Sequence, residues 1–150
     1  MKIAIGSDHR GVQLKAMIKS MLEERSYDID DMGTFTTDSV DYPDYAFKVA
    51  EAVSKELAEY GILICGSGIG MSIAANKIPN IRAALCMSPE LARLSRLHNN
   101  ANVLVLGADY TDENSLGQLL TNFFTTQFEE TRHTKRIQKI TDIESKFLKK

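Results

Sequence analysis

The 150-residue sequence lacks tryptophan and has only two cysteines, with no Cys-x-x-Cys spacing. The cysteine count and spacing argue against a disulfide framework and against a structural zinc site. The sequence also lacks a long apolar run, so no segment can cross a bilayer and no secretion signal is visible. Eighteen basic residues against twenty acidic ones give a net charge of −2, which argues against general nucleic-acid binding. We expect a cytoplasmic protein with neither a membrane nor a nucleic-acid partner.

Apolar residues make up 43% of the sequence and charged residues 25%, which is typical of a globular protein. The length suits a single domain over residues 1–150. Short apolar segments alternate with amphipathic helices, and the segments predicted to be strands lie near residues 3–5, 27–29, 62–65, 83–86 and 103–106. Strands that are apolar throughout are buried on both faces. The pattern therefore predicts a Rossmann-like, three-layer α/β/α sandwich with a parallel sheet of about five strands.

The helices are predicted from apolar residues spaced three and four apart. The helix after Gly11 has five such residues, Leu14, Met17, Ile18, Met21 and Leu22. Ser88 followed by Pro89 predicts a capped helix start. An extra C-terminal helix from about Thr134 carries Ile137, Ile140, Ile143 and Phe147. Because no strand follows it, this helix either closes the domain or packs on a partner subunit.

Three of the predicted strands end in residues that can carry chemistry. Asp8-His9 follows the first strand, Cys65-Gly66-Ser67-Gly68-Ile69-Gly70 the third, and Gly107-Ala108-Asp109 the fifth. Ligands of parallel α/β sheets bind beyond the carboxyl ends of the strands. We therefore expect the reactive site at this edge of the sheet.

The alternating glycines Gly66, Gly68 and Gly70 can turn backbone amides toward one point. This favours binding of an anion such as a phosphate, a carboxylate or an enediolate. The loop is not the dinucleotide fingerprint, because Met71 stands where the third glycine belongs, and it is not a P-loop, because no Lys-Ser/Thr pair follows. The alternative is a tight turn between a strand and a helix that binds nothing.

Each candidate side chain has a functional and a purely structural interpretation. Cys65 is a base or nucleophile, or else a buried small hydrophobic residue, and Cys86 is predicted to be core. His98 is a catalytic group or a residue that interacts with a helix end. Arg132 and Arg136, four residues apart, clasp a phosphate or form a solvated basic face. The aspartates between residues 28 and 41 do not fit the calcium-loop spacing, so we interpret them as an acidic loop.

Six motifs stand in a recognisable order and spacing, namely Gly6-Ser7-Asp8-His9-Arg10-Gly11, Asp41-Tyr42-Pro43, the Cys65 to Gly70 segment, Ala74-Ala75-Asn76-Lys77, Ser95-Arg96-Leu97-His98-Asn99-Asn100 and Arg132-His133. Together they resemble the type B ribose-5-phosphate isomerases over nearly the whole chain. The resemblance implies the α/β/α fold. It also implies a cofactor-independent aldose–ketose isomerase of the pentose phosphate pathway, which interconverts ribose 5-phosphate and ribulose 5-phosphate through an enediolate.

The resemblance also implies roles for individual residues. Cys65 corresponds to the base that moves a proton between C1 and C2, and Met71 stands where another branch of the family has a glutamate base. His98 corresponds to the residue that opens the sugar ring, with Asp8 assisting, and Asn99 to a contact with a substrate hydroxyl. The anion hole for the enediolate corresponds to Gly66, Ser67, Gly68, Ile69 and Gly70, and the phosphate ligands correspond to His9, Arg132 and Arg136.

The same resemblance implies a homodimer or tetramer with sites at the dimer interface, and neither a metal nor an organic cofactor. Two alternatives stay open: an isomerase of allose or galactose 6-phosphate, and a non-catalytic phosphate-sensing module on the same fold. Where most family members have Gly-x-Arg after the fifth strand, this chain has Gly107-Ala108-Asp109. We expect Asp109 to turn away from the phosphate or to pair with Arg132, Arg136 or another cation.

Overall fold

A computed structural model describes residues 1–148 and shows a five-stranded sheet with helices on both faces. The strands are β1 (Lys2–Ser7), β2 (Asp28–Asp31), β3 (Tyr60–Cys65), β4 (Ala83–Leu85) and β5 (Val103–Gly107). The helices are α1 (Val12–Glu24), α2 (Tyr42–Ser54), α3 (Ile69–Ala75), α4 (Pro89–Asn99), α5 (Leu116–Thr125) and α6 (Arg132–Phe147), and short 3-10 turns cover His9–Gly11 and Glu113–Ser115. The predicted α/β class and the extra C-terminal helix are confirmed.

The sheet order is β2-β1-β3-β5-β4, and every pairing is parallel. The strands β1, β3 and β5 are therefore central neighbours. Ser7 pairs with Ile64, and Cys65 pairs with Gly107, so these three strands end together at the carboxyl edge of the sheet. The segments that follow them are brought side by side.

Both faces of the sheet are covered, as the uninterrupted apolar strands predict. In β3, Ile62 and Ile64 point to the face covered by α1, α4 and α5. Leu63 and Cys65 point to the opposite face, which α2 and α3 cover. Because side chains alternate along a strand, the Cys65 thiol emerges on the α2/α3 side of the carboxyl edge.

The boundaries of two predicted helices can be compared with the structure. The Ser88 hydroxyl accepts a hydrogen bond of 3.2 Å from the Leu91 amide, and Pro89 is the first residue of α4, so this predicted start is confirmed. The last helix begins at Arg132 rather than at about Thr134. Helix ends are the least certain part of a periodicity argument, because the first turn needs no apolar contact.

The interpretation of the aspartates as an acidic loop is wrong for part of the segment. Residues Asp28–Asp31 form the edge strand β2, which pairs with β1. Asp31 Oδ1 lies 2.5 Å from the Nζ atom of the buried Lys15, and this carboxylate neutralises a cation that burial would otherwise disfavour. The strand predicted near residues 27–29 is thus present as β2 and extends to Asp31. The pairing of Asp31 with Lys15 of α1 is what a local pattern does not reveal.

Helix α6 leaves much of its apolar stripe uncovered. Ile140, Ile143 and Phe147 expose 47%, 60% and 82% of their surface. With Ile78 and Ile81 they line a groove of about 710 Å³ beside β4. Within residues 1–148, no helix is long and apolar enough to cross a membrane.

Candidate active site

Backbone hydrogen bonds hold the ends of β1, β3 and β5 together. The Asp8 amide donates to the Ile64 carbonyl at 3.1 Å, and the Ala108 amide donates to the Cys65 carbonyl at 2.8 Å. The Asp109 amide donates to the Gly66 carbonyl at 3.0 Å. The structure therefore brings together the three segments that the sequence placed at one edge.

The loop after β3 directs backbone amides toward its own side chains. The Gly68 amide donates a hydrogen bond of 3.2 Å to Cys65 Sγ, and the Ile69 amide donates one of 3.2 Å to Ser67 Oγ. Gly68 has a φ of +80°, and a Cβ there would lie 2.5 Å from Leu85 Cδ1. The residue is glycine because both its backbone conformation and its close packing exclude a side chain.

Asp8 and His9 are fixed next to this loop. The buried Asp8 carboxylate accepts hydrogen bonds through Oδ1 from the amides of Arg10 and Gly11, at 2.9 and 3.2 Å. His9 Nδ1 accepts a hydrogen bond of 3.1 Å from the Val40 amide. A ring nitrogen that accepts carries no proton, so Nε2 carries the proton of neutral His9 and can donate to an anion.

Asp109 pairs with Arg10, which is a different cation from Arg132 and Arg136. Arg10 Nη2 donates a hydrogen bond to Asp109 Oδ2. The arginine comes from the turn after β1 and the aspartate from the segment after β5, so the ion pair crosses over the loop of β3. The expectation that Asp109 pairs with another nearby cation is met by this contact.

The remaining candidates form a second cluster around His98 and His133. The two imidazole rings stack with centroids 4.4 Å apart and planes 21° apart. His133 is buried, and its Nε2 atom has no hydrogen-bond partner within the described residues. Burial lowers the pKa of His133, and the nearby His98, Arg132 and Arg136 lower this pKa further. Arg132 and Arg136 themselves lie exposed on the first turns of α6.

This second cluster lies at the opposite end of the sheet from Cys65. Arg96, one turn before the end of α4, places its guanidinium 5.0 Å from the ring centroid of Tyr60. Tyr60 is the first residue of β3 and Cys65 is the last, so about 17 Å of strand separates the two ends. Within one chain, His98 and Asn99 therefore do not meet Cys65.

His98, Glu129 and His133 are a group of residues, within the part of the chain that the structure describes, that could hold a metal ion. Their ligand atoms all lie within 4.8 Å of one another. Two observations oppose a cation there. The lone pairs of stacked, nearly parallel rings do not converge on one point, and the positive charge of Arg132 and Arg136, which lowers the pKa of His133, also repels a metal ion.

Two residues near the loop had no role assigned from the sequence. A Cβ at Gly70 would lie 2.5 Å from Tyr42 Cζ, so the Tyr42 ring packs directly on the loop. A Cβ at Gly66 would lie 3.1 Å from both Nε and Cζ of Arg10. Both residues belong to motifs that carry the family resemblance, and this is the one signal in the sequence that points to them.

Comparisons with known proteins agree with this geometry. The family model described as Ribose/Galactose Isomerase matches residues 3–140. Ribose-5-phosphate isomerase B of Escherichia coli is 43% identical over 145 residues, which cover 97% of each chain. The structure of Clostridium thermocellum ribose-5-phosphate isomerase B has a TM-score of 0.97 at 47% identity, and covers 99% of this chain and 100% of that one.

A further solved structure contains a ligand. It is ribose-5-phosphate isomerase B of Mycoplasma genitalium with bound ribulose-5-phosphate, with a TM-score of 0.92 at 40% identity and 96% of each chain covered. The match to the family model spans most of the sequence, and the fold agrees over nearly its full length. The chain belongs to the ribose/galactose isomerase family.

Proposed function

We propose that this protein interconverts ribose 5-phosphate and ribulose 5-phosphate, with Cys65 as the base. The observation that carries the proposal is the hydrogen bond of 3.2 Å from the Gly68 amide to Cys65 Sγ, inside a glycine loop next to the buried Asp8. A phosphate-sensing module would need the loop and cations but no thiol in this position. Relatives named ribose-5-phosphate isomerase B support the substrate class.

The proposed reaction moves one proton between adjacent carbons. The Cys65 thiolate removes the proton from C2 of the open-chain aldose, and the electron pair moves so that the C1 oxygen becomes an enediolate oxygen. Backbone amides of the loop stabilise this negative charge. The thiol then returns the proton to C1, while the C2 hydroxyl passes its proton to the C1 oxygen and becomes the ketone. The step is an internal redox exchange that uses no external electron acceptor.

The second cluster supplies the other functions in this proposal. His98 opens the furanose ring by proton transfer, with Asp8 assisting, and Asn99 contacts a substrate hydroxyl. Arg132 and Arg136 bind the phosphate together with His9, whose Nε2 can donate. A phosphate held this way positions the reacting carbons, so that binding energy serves the chemical step.

Because the two clusters lie at opposite ends of one sheet, we propose that each site takes Cys65 from one chain and His98 from a second copy. Exposed apolar residues on both elements support this assembly. Ile69 and Ile73 on α3, beside the glycine loop, expose 57% and 60% of their surface, and Phe147 on α6 exposes 82%. Large exposed apolar side chains on both elements are what a subunit interface would cover.

The activity test uses the purified protein in EDTA with ribose 5-phosphate, allose 6-phosphate and galactose 6-phosphate. We expect turnover of ribose 5-phosphate at a kcat/KM at least about tenfold above that of either hexose phosphate. A higher kcat/KM for a hexose phosphate would assign the site to that sugar. Phosphate binding without turnover of any of the three would favour the sensing module and contradict the proposal.

The shared-site test mixes two inactive variants, Cys65→Ala and His98→Ala, under conditions that allow subunits to exchange. If each site combines two chains, hybrid dimers contain one intact site, and random mixing restores about a quarter of the wild-type activity. The control mixes Cys65→Ala with the double variant Cys65→Ala/His98→Ala, which cannot form an intact site. No recovery in the first mixture, with exchange verified by mass spectrometry, would mean that Cys65 and His98 do not act in one shared site and would contradict the proposal.

A further inference from the structure

Arg10 lies directly over the glycine loop, although its side chain starts on another strand. It follows His9 in the turn after β1, and its amide donates to Asp8 Oδ1 at 2.9 Å. Its Cδ, Nε and Cζ atoms pass 3.1–3.2 Å from where a Cβ at Gly66 would stand. The absence of a side chain at position 66 therefore lets the guanidinium cross above the first residue of the loop.

Asp109 holds the guanidinium in this place. Its carboxylate accepts the hydrogen bond from Arg10 Nη2, and its amide is tied to the Gly66 carbonyl at 3.0 Å. The aspartate that restrains Arg10 is thus itself anchored to the loop. These two hydrogen bonds, from Arg10 to Asp109 and from the Asp109 amide to Gly66, fix the guanidinium relative to the loop amides. The long arginine side chain alone would not do so.

The ion pair contributes little to stability, because both side chains are solvent-exposed, Arg10 at 57% and Asp109 at 45%. A guanidinium has five N–H donors, and within residues 1–148 Arg10 uses one of them, through Nη2. The others remain to bind a ligand that approaches the loop from solvent. A phosphate dianion carries more charge than the single Asp109 carboxylate and accepts two parallel hydrogen bonds from a guanidinium.

We propose that Arg10 binds the phosphate group of the substrate, and that Asp109 positions its guanidinium over Gly66 for this purpose. The inference rests on the proposed isomerase function and extends it, because it places a phosphate ligand at a position to which the sequence resemblance assigned no role. His9, the adjacent residue, presents a donor next to the same site, so the two neighbours bind the phosphate from one turn.

The test compares Arg10→Gln with Asp109→Asn, because both variants break the ion pair but only one removes the cation. Arg10→Gln is expected to raise KM for ribose 5-phosphate about 10- to 100-fold, with kcat changed less than about threefold. Asp109→Asn is expected to change KM less than about threefold, because the cation stays, the asparagine oxygen can still accept from Arg10 Nη2, and the backbone anchor to Gly66 is kept. Arg93→Gln is the matched control: it removes an exposed arginine that pairs with Glu90 on α4.

Titration with inorganic phosphate, followed by ³¹P NMR, tests the inference independently of turnover. Arg10→Gln should weaken phosphate binding about 10- to 100-fold relative to wild type and to Arg93→Gln. If both Arg10→Gln and Asp109→Asn raise KM alike, the ion pair is structural and the inference is overturned. An active enzyme whose KM and phosphate affinity are unchanged by Arg10→Gln also overturns it. If no sugar phosphate is turned over but phosphate binding weakens in Arg10→Gln alone, the isomerase function fails while Arg10 remains a phosphate ligand.

Discussion

Replacing Gly68 by alanine tests the geometry of the glycine loop. The residue has a φ of +80°, where an L-residue costs about 1–2 kcal/mol. The added Cβ would lie 2.5 Å from Leu85 Cδ1 and 3.1 Å from the carbonyl carbon of Leu106, which is overpacking that costs about 1–3 kcal/mol. We expect Gly68→Ala to lower the free energy of unfolding by about 2–5 kcal/mol.

The same substitution should lower kcat, because relief of the clash displaces the amide that donates to Cys65 Sγ. The assays are urea denaturation at fixed protomer concentration, because an oligomer's stability depends on concentration, and isomerase turnover. Gly117→Ala in α5 is the matched control, since its Cβ would meet nothing closer than 3.5 Å. Because Gly117 lies in the first turn of α5, this control should change the free energy of unfolding by less than about 1 kcal/mol. Equal stabilities of Gly68→Ala and wild type within about 0.5 kcal/mol would refute the reasoning.

Substitutions of a cysteine, a histidine and an aspartate test other parts of the site. Cys65→Ala should abolish isomerisation and the exchange of substrate deuterium with solvent, and retained exchange would place the base elsewhere. The control Cys86→Ala should remain active, because burial raises the pKa of the Cys86 thiol to about 11 and keeps it protonated. The pKa of His133 in the folded protein is lowered from 6.5, so the unfolded chain takes up the proton first as the pH falls, and the folded protein loses stability. His133→Gln should therefore lose less free energy of unfolding than wild type between about pH 7.5 and 5.5. Equal losses in the two proteins would contradict this. Asp109→Arg should lower KM with little change in kcat, because it adds a cation beside the phosphate and a phosphate contact acts in both the ground and transition states. An unchanged or higher KM would mean that losing the restraint on Arg10 outweighs the added cation.

Local patterns in the sequence are enough to predict most of the secondary structure and one half of the site. Apolar strands and helical stripes differ in period, so neighbouring residues distinguish them. The position of Cys65 at a strand end, followed by three glycines, is also a local feature. Since all parallel strands present their carboxyl ends at one edge, the sequence also predicts that Asp8 lies at the same edge as Cys65.

Which distant segments meet depends on the tertiary structure. The order β2-β1-β3-β5-β4 places the loop of β3 between the ends of β1 and β5, so Arg10 pairs with Asp109 across 99 positions. The course of α4 carries His98 back to the other end of the sheet, away from Cys65. Periodicity reports which face of an element is apolar, but strand order and crossover direction depend on packing among all the elements together, so no short segment encodes them.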